Sequence, residues 1–303
     1  MKYRLIEAEK AEHSVSRLCK VLGVTRQGFY AWRRGPSLRQ LGDEELKRVI
    51  VSIYDGSHTI YGAPRVWLEL ADEHDVHVGR KRVARLMREL GLKGVSRRGK
   101  KPRTTTPDEK APPAPDLVER RFVADRPNAL WLADITYVDT REGYLFLAVV
   151  MDMFSRKIVG WSMRNDLKTE LVVDALAMAI TRRRPPAGLV HHSDRGSQYT
   201  SLAFGKTLRE SGLLQSVSRR GRPGDNAACE SVISTLKEEW IKRHSYQSRD
   251  QARLSIFRYI ETFYNPRRRH SALAGISPDE HERRCLEKQT KEGIDTIETT
   301  KAA

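Results

Sequence analysis

Apolar residues at helical spacing dominate the first hundred residues. They recur from residue 15 to 22, and after Gly23 a second helix begins with Thr25 as its N-cap, which is typical of a helix-turn-helix. Two further helices are predicted over 43–54 and 65–73. The sequence therefore predicts an all-α N-terminal region. Its first helical pair is either a DNA-binding element or a plain packing module.

Beyond residue 126 the pattern changes from helical to strand-like. Three segments rich in β-branched and aromatic residues, 129–140, 143–153 and 157–163, are separated by short turns and predict an antiparallel meander. Helices are then predicted over 168–184, 201–212, 226–240 and 249–264, and short strands over 188–193 and 213–218. This order predicts an α/β fold with a mixed five-stranded sheet and flanking helices.

The chain carries 55 Lys and Arg against 39 Asp and Glu, a net charge of +16. Such a charge attracts polyanions, of which nucleic acid and anionic lipid are the common ones. No apolar run reaches the roughly 18 residues of a membrane span, and the charged N-terminus lacks the apolar stretch of a signal peptide. We therefore expect a cytoplasmic protein without a membrane partner. The three widely spaced cysteines predict neither disulfides nor a structural zinc site.

Positive charge is densest between residues 80 and 103. Apolar residues at helical spacing from Val83 to Leu90 predict a helix whose opposite face is basic. Because this charge exceeds what solubility requires, we expect phosphate contacts, with a solvated basic face as the alternative. The predicted contacts are Arg80, Lys81, Arg82, Arg85, Arg97 and Arg98.

Composition divides the chain into five predicted segments. Residues 100–126 are rich in Pro, Thr and charge and have little apolar periodicity, which is typical of a linker. The predicted segments are a helix-turn-helix-like segment over 1–40, a basic helical DNA-binding domain over 41–99, the linker over 100–126, an α/β core over 127–245, and a C-terminal helix and basic region over 246–303.

Three acidic residues stand where a carboxylate needs an explanation. Asp134 lies inside an apolar strand, Asp194 directly follows a buried strand, and Glu230 lies one turn into a helix. A buried ion pair, a turn cap and a solvated helix face would explain them one at a time. All three roles at once would be a coincidence in a basic protein with this order of strands. Together the acids predict a site for two Mg²⁺ ions that catalyse phosphoryl transfer on a polyanion.

Other polar residues near these acids receive structural interpretations. His191 and His192 precede Asp194 and are expected to be core groups behind the metal ligands, although imidazoles also bind metals. Asp152 is expected to cap a hairpin, and Asp225 to cap the helix of Glu230.

Several sequence blocks resemble a known family. They are WLADITYV around Asp134, LAVVMDMFSRKIVGW across the next two strands, HHSDRGSQYTS around Asp194, DNAACESVISTLKEE around Glu230, and YNPRRRHSALAGISPDEH near the C-terminus. With VSRLCKVLGVTRQGFYAW and YGAPRVW, they cover roughly residues 14 to 284. The chain resembles the retroviral-integrase-like DDE transposases, and more narrowly the OrfB transposases of IS-three family insertion sequences.

This resemblance implies a ribonuclease-H-like core in which Asp134, Asp194 and Glu230 bind two Mg²⁺ or Mn²⁺ ions. It implies strand cleavage by water, followed by strand transfer by the exposed 3′-OH. Residues expected by this resemblance to contact DNA are Asn226, Lys237, Arg267, Arg268 and Arg269.

The implied partners are DNA, as element ends and target, and further copies of the chain. Pairing two ends predicts a homodimer or a higher assembly in a synaptic complex, in a bacterial, nucleoid-associated setting. A subunit from an upstream reading frame, or a frameshift fusion with it, is a further expectation. Two alternatives remain open, a hydrolytic nuclease or resolvase on the same core and a DNA-binding regulator without catalysis, because cleavage and joining use the same metals.

Overall fold

A computed structural model describes residues 1–96, 115–118, 122–218 and 226–301, with side chains described up to residue 290. The chain divides into two compact units, Met1–Gly94 and Val95–Ala303. Arg97, Arg98, Asp225 and most of the predicted linker lie outside the described residues. Within the described ranges, no helix has the length and apolar character needed to cross a membrane.

The N-terminal unit is all α-helical, as predicted. Its helices are α1 Lys2–Glu9, α2 Val15–Leu22, α3 Arg26–Arg34, α4 Leu38–Gly56, α5 Ala63–His74 and α6 Arg80–Glu89. The predicted N-cap is confirmed, since the Thr25 hydroxyl accepts a hydrogen bond from the Gly28 N–H at 3.0 Å. Gly23 ends α2 with a φ of 63°, a conformation that glycine adopts without strain. Helix α1 was not predicted, yet its Ile6 is buried against Cys19 and Phe29.

The second unit is built on one mixed sheet. Its elements are β1 Leu130–Val138, β2 Leu145–Asp152, β3 Ile158–Arg164, α7 Thr169–Arg183, β4 Val190–Ser193, α8 Leu202–Glu210, β5 Leu214–Val217, α9 Ala227–Glu239, α10 Arg249–Arg258 and α11 Pro278–Lys301. The strand order is β3-β2-β1-β4-β5. The first three strands pair antiparallel, and β1-β4 and β4-β5 pair parallel. The predicted mixed five-stranded sheet is confirmed.

Helix α7 covers one face of the sheet at very short range. A Cβ atom on Gly160 of β3 would lie 2.2 Å from the Ala175 carbonyl oxygen of α7, so only glycine permits this approach. Trp131, Leu176 and Phe204 belong to the fully buried core that results. Because Trp131 lies on β1, packing in this core holds β1 in its position between β2 and β4.

The pairing register brings two of the predicted acids together. Strands β1 and β4 pair only as far as Leu132 and His192. Asp134 lies two residues beyond Leu132, and Asp194 lies two residues beyond His192. Beyond Leu132, no described strand pairs with the β4 side of β1. The site can therefore open along this edge.

The segment after α10 stabilises the opposite edge of the sheet. A π-helical turn, Tyr259–Tyr264, leads into Asn265, whose amide bonds both backbone groups of Ile158 on β3 at 2.9 Å. From α11, Glu282 accepts hydrogen bonds from Ser155 at 2.7 Å and from Arg183 at 2.8 Å. Asn265 belongs to the YNPRRRH block and Glu282 follows the SPDE block, so this part of the chain forms one clamp on the β2–β3 hairpin.

Acid should destabilise the protein partly through His191. Burial, together with the neighbouring His192, lowers the pKa of His191 to about 3, and within the described part of the chain neither ring nitrogen has a hydrogen-bond partner. Below about pH 6.5 the unfolded chain therefore binds a proton at His191 that the folded chain does not bind. The free energy of unfolding then falls by up to about 1.4 kcal/mol for each unit by which the pH is lowered. We expect His191→Phe, which preserves packing against Phe204, to flatten this loss in urea unfolding between pH 6.5 and 4.5. An unchanged pH dependence would exclude His191 as its source.

Candidate active site

The three predicted acids come from three elements at the open edge of β1. Asp134 lies on β1, Asp194 follows β4, and Glu230 lies in the first turn of α9. Asp194 accepts the Gly196 N–H at 3.0 Å, which folds the loop after β4 back onto the carboxylate. Asp134 accepts the N–H of the next residue at 2.8 Å.

The electrostatics of these side chains indicate one shared cluster. Burial, then the Asp194 charge, raises the pKa of Asp134 to about 7, and Glu230 contributes in the same direction. Burial also raises the pKa of Asp194, again with a contribution from Glu230. The buried Cys229 thiol has its pKa raised by burial and by all three carboxylates. The fold therefore brings Asp134, Asp194 and Glu230 close enough to repel one another.

A divalent cation fits the chemistry of this cluster. Carboxylate oxygens are the ligands that Mg²⁺ and Mn²⁺ prefer, and a cation would offset the repulsion that raises the pKa of Asp134. Among the described residues, no three His, Cys, Asp or Glu side chains already form a metal-binding group. The three acids interact electrostatically, but they are not gathered around one point.

Asn226 fixes α9 against β1. It is the N-cap residue of α9, but its side chain is turned away from the helix, and its amide nitrogen donates to the Ala133 carbonyl oxygen at 2.9 Å. This joins the residue before Asp134 to a position one turn before Glu230. The predicted cap Asp225 lies outside the described residues, and Asn226 is 5% exposed. The structure thus gives Asn226 a positioning contact where DNA contact was predicted.

Lys237 lies two turns beyond Glu230 on α9. Its ammonium group is 4.4 Å from the ring centre of Tyr137, and it interacts electrostatically with Asp134. Burial lowers the pKa of this half-buried lysine. Lys237 therefore supplies a cation beside the acidic cluster, compatible with the predicted DNA contact.

The two histidines before Asp194 are core residues. His192 contacts the hydroxyl of Ser216 at 2.8 Å and that of Ser218 at 3.2 Å, while His191 packs against Phe204. The hairpin role of Asp152 is confirmed, because its carboxylate accepts the Phe154 N–H at 2.9 Å.

The basic helix α6 divides into paired and exposed cations. Arg82 and Arg85 each bind the Asp43 carboxylate at 2.7 Å, which ties α6 to α4. Arg80 and Lys81 are exposed. Phosphate contact stays a prediction for this helix. Because Arg82 and Arg85 are already paired, the exposed side chains are better placed for it.

The arginines after the π-helical turn need a correction. Arg268 is 3% exposed and forms a bidentate ion pair with Glu239 at 2.5 and 2.6 Å, and Arg269 is 5% exposed and donates to the Gly275 carbonyl oxygen. Both arginines are therefore buried with partners inside the fold, which differs from the exposed placement that the predicted phosphate contacts require. Arg267 is exposed. The partner acid was missed, although Glu239 falls at helical spacing from the apolar Val232 and Leu236 on α9.

A ribonuclease-H-like sheet with three converging acids defines the class of integrase-type polynucleotidyl transferases. Two models described as "Integrase core domain" match residues 124–223 and 211–278, and an "HTH-like domain" model matches residues 40–100. The transposase InsF for insertion sequence IS3A from Escherichia coli (strain K12) is 39% identical over 94% of this chain and 100% of its own length. The chain belongs to the IS3 family of insertion-sequence transposases.

One further relative and one solved structure are also similar to this chain. The insertion element IS600 uncharacterized 31 kDa protein of Shigella sonnei is 44% identical over 86% of this chain and 96% of its own length. Among solved structures, the HTLV-2 integrase catalytic core domain in complex with magnesium (trimeric form) is 18% identical with a TM-score of 0.42. The match covers 53% of this chain and 99% of the HTLV-2 integrase core chain.

Arg268→Met should destabilise the fold rather than weaken DNA binding. The substitution takes away the bidentate cationic partner of the buried Glu239 carboxylate, and breaking a buried ion pair costs about 3–5 kcal/mol. The exposed neighbour offers a matched control, because Arg267→Met leaves that pair intact. Urea unfolding of both variants measures the difference, and equal stabilities would refute the structural role of Arg268.

Asp134→Asn should raise the thermal stability of the metal-free protein. The substitution removes a half-buried charge that Asp194 and Glu230 repel. Each kcal/mol recovered raises the melting temperature by about 2–4 °C in a protein unit of this size. Thermal melts in EDTA test this, with Asp139→Asn on the same chain segment as a control. A lower melting temperature for Asp134→Asn would contradict the repulsive cluster.

Proposed function

We propose that this transposase cleaves DNA strands with water and then joins the freed 3′-OH to a target strand at Asp134, Asp194 and Glu230. The observation that carries the proposal is the environment of Asp134, where burial, then the charges of Asp194 and Glu230, raises the pKa of the carboxyl group to about 7. Charges are held together in this way at functional sites more often than elsewhere, because the arrangement costs stability.

The three carboxylates are the proposed ligands of two Mg²⁺ or Mn²⁺ ions. Bound there, the ions would activate the attacking oxygen and neutralise charge that develops on the phosphate. The chain's own contribution is to hold the ligands. Asp194 is oriented by the Gly196 N–H, and Glu230 is positioned by the contact of Asn226 with Ala133.

Positive groups around the acids are proposed to bind the DNA backbone. Lys237 is the nearest such side chain on α9, and its charge suits a phosphate beside the reacting one. In the N-terminal unit, Arg80 and Lys81 are exposed on α6 and can add contacts that do not depend on base sequence. These contacts position DNA and leave the chemistry to the carboxylates.

Assembly and cellular setting are part of the proposal. Joining two element ends to one target requires at least two active sites, so we expect a homodimer or larger complex on DNA, in the bacterial nucleoid. A subunit from an upstream reading frame, or a fusion with it, is proposed to contribute to recognition of the ends. The alternatives are a hydrolytic nuclease on the same core and a DNA-binding regulator. The intact acidic cluster argues against the regulator.

A strand-transfer assay in Mg²⁺ should give joined products with the wild-type chain and none with Asp194→Asn or Glu230→Gln. These substitutions remove a ligand charge and preserve side-chain volume, so DNA binding should stay within about twofold. Glu238→Gln, on the same helix and paired with Lys242, is the matched control and should retain activity.

Each other outcome of this assay has its own meaning. Nicks without joined strands would favour the hydrolytic nuclease. Joining by either acid variant would overturn the proposed ligands. Tight binding without chemistry in the wild type would support the regulator, unless addition of the upstream-frame subunit restores joining.

A further inference from the structure

Two tyrosines form an exposed aromatic surface at the end of the β1–β2 hairpin. The rings of Tyr137 and Tyr144 meet edge to face, with centroids 5.2 Å apart, and their residues are 40% and 54% exposed. The ammonium group of Lys237 lies over the Tyr137 ring at 4.4 Å. We call these three side chains the aromatic platform.

The platform is held rigidly by contacts from the C-terminal side of the chain. Thr140 forms a β-bridge with Tyr246, and the Arg141 N–H donates to the Tyr246 carbonyl oxygen at 3.1 Å. The Arg249 side chain donates to the Tyr144 carbonyl oxygen at 3.1 Å, and its backbone N–H donates to the Glu142 carboxylate at 2.9 Å. A fixed hairpin presents its tyrosine rings to a ligand with little loss of conformational entropy.

Lys237 connects the platform to the acidic cluster, because it lies over the Tyr137 ring and interacts electrostatically with Asp134. Tyr137 follows Asp134 by three residues on β1, about 10 Å along the strand, and projects from the other face of it. Lys237 follows Glu230 by seven residues on α9, again about 10 Å along a helix. Strand β1 and helix α9, which carry Asp134 and Glu230, thus also contact each other at Tyr137 and Lys237.

The chemical character of the platform matches unpaired nucleic acid. Aromatic rings stack on any base, and a lysine beside them neutralises the adjoining phosphate. A single exposed tyrosine would need no explanation. Two tyrosines in contact, with a cation over one ring, make a surface that combines both kinds of recognition. The net charge of +16 favours DNA over an apolar protein partner.

We propose that an unpaired base next to the reacting phosphate stacks on Tyr144, while Tyr137 supports that ring and holds Lys237 toward the DNA backbone. This inference rests on the proposed strand cleavage and joining, because it names the part of the DNA end that the site holds. It makes Tyr137 and Tyr144 positioning residues and leaves the metal ligands unchanged.

The test measures stacking without chemistry. The full chain carrying Glu230→Gln is bound to DNA ends that contain 2-aminopurine at successive positions around the reacting phosphate. Stacking on an aromatic ring quenches its fluorescence, so one position should be quenched relative to an unbound end of the same unpaired structure. Adding Tyr144→Ala should restore that emission and weaken binding about tenfold, whereas Tyr144→Phe should preserve both.

A matched aromatic residue controls for general effects. Phe257 is 41% exposed and packs against Trp161 on β3, so Phe257→Ala removes a similar ring away from the platform. It should leave fluorescence and binding unchanged. Thermal melts establish that each variant is folded, and Tyr137→Ala gives a second measurement if Tyr144→Ala does not fold.

The outcomes separate this inference from the proposed function. Quenching that survives both Tyr144→Ala and Tyr137→Ala, or that Phe257→Ala also abolishes, would overturn the platform. Joining by the Glu230→Gln variant would overturn the proposed ligands, whatever the fluorescence gives. A quenched base that depends on Tyr144, found together with no joining by the wild type, would support the platform and refute the proposed function.

Discussion

The hydrogen bond from Asn226 to the Ala133 carbonyl oxygen is the contact on which the site depends most. Strand β1 loses its partner β4 after Leu132, which leaves backbone groups beside Asp134 open to another element. Asn226 satisfies one of them from the first turn of α9. Because Asn226 precedes Glu230 by one helical turn, the contact that closes the edge of the sheet also sets the distance between the first and third acids.

The site is held against its own charge. Burial, then repulsion by Asp194 and Glu230, raises the pKa of Asp134 to about 7, and the buried Cys229 lies close enough for the same three charges to raise its pKa. The rest of the unit offsets that cost. Glu239, at the far end of α9, pairs with Arg268, and Asn265 completes the edge of β3. These contacts anchor the far end of α9 and the β3 edge of the sheet, and so oppose separation of the acids.

Periodicity predicted most of the fold, because the change from helical to strand-like spacing is strong in this chain. Asp134 could be found in the sequence since a charge within an apolar strand is rare. The role of Arg268 could not be predicted, because the sequence does not distinguish an arginine that contacts DNA from one in a buried ion pair. Asn226 was likewise predicted to contact DNA. Its bond to Ala133 could not be predicted, because it joins residues far apart in the sequence. Helix α1 is short and shows little periodicity of its own; it is defined by packing against Phe29.

Manganese affinity of the full chain, measured by titration calorimetry, tests the central claim most directly. If Asn226 sets the distance between the acids, Asn226→Ala should stay folded and bind Mn²⁺ at least about tenfold more weakly than the wild type. Asn165→Ala, an exposed asparagine that contacts Arg253, should bind Mn²⁺ like the wild type. Equal affinities for Asn226→Ala and the wild type would contradict the claim that this one hydrogen bond assembles the site.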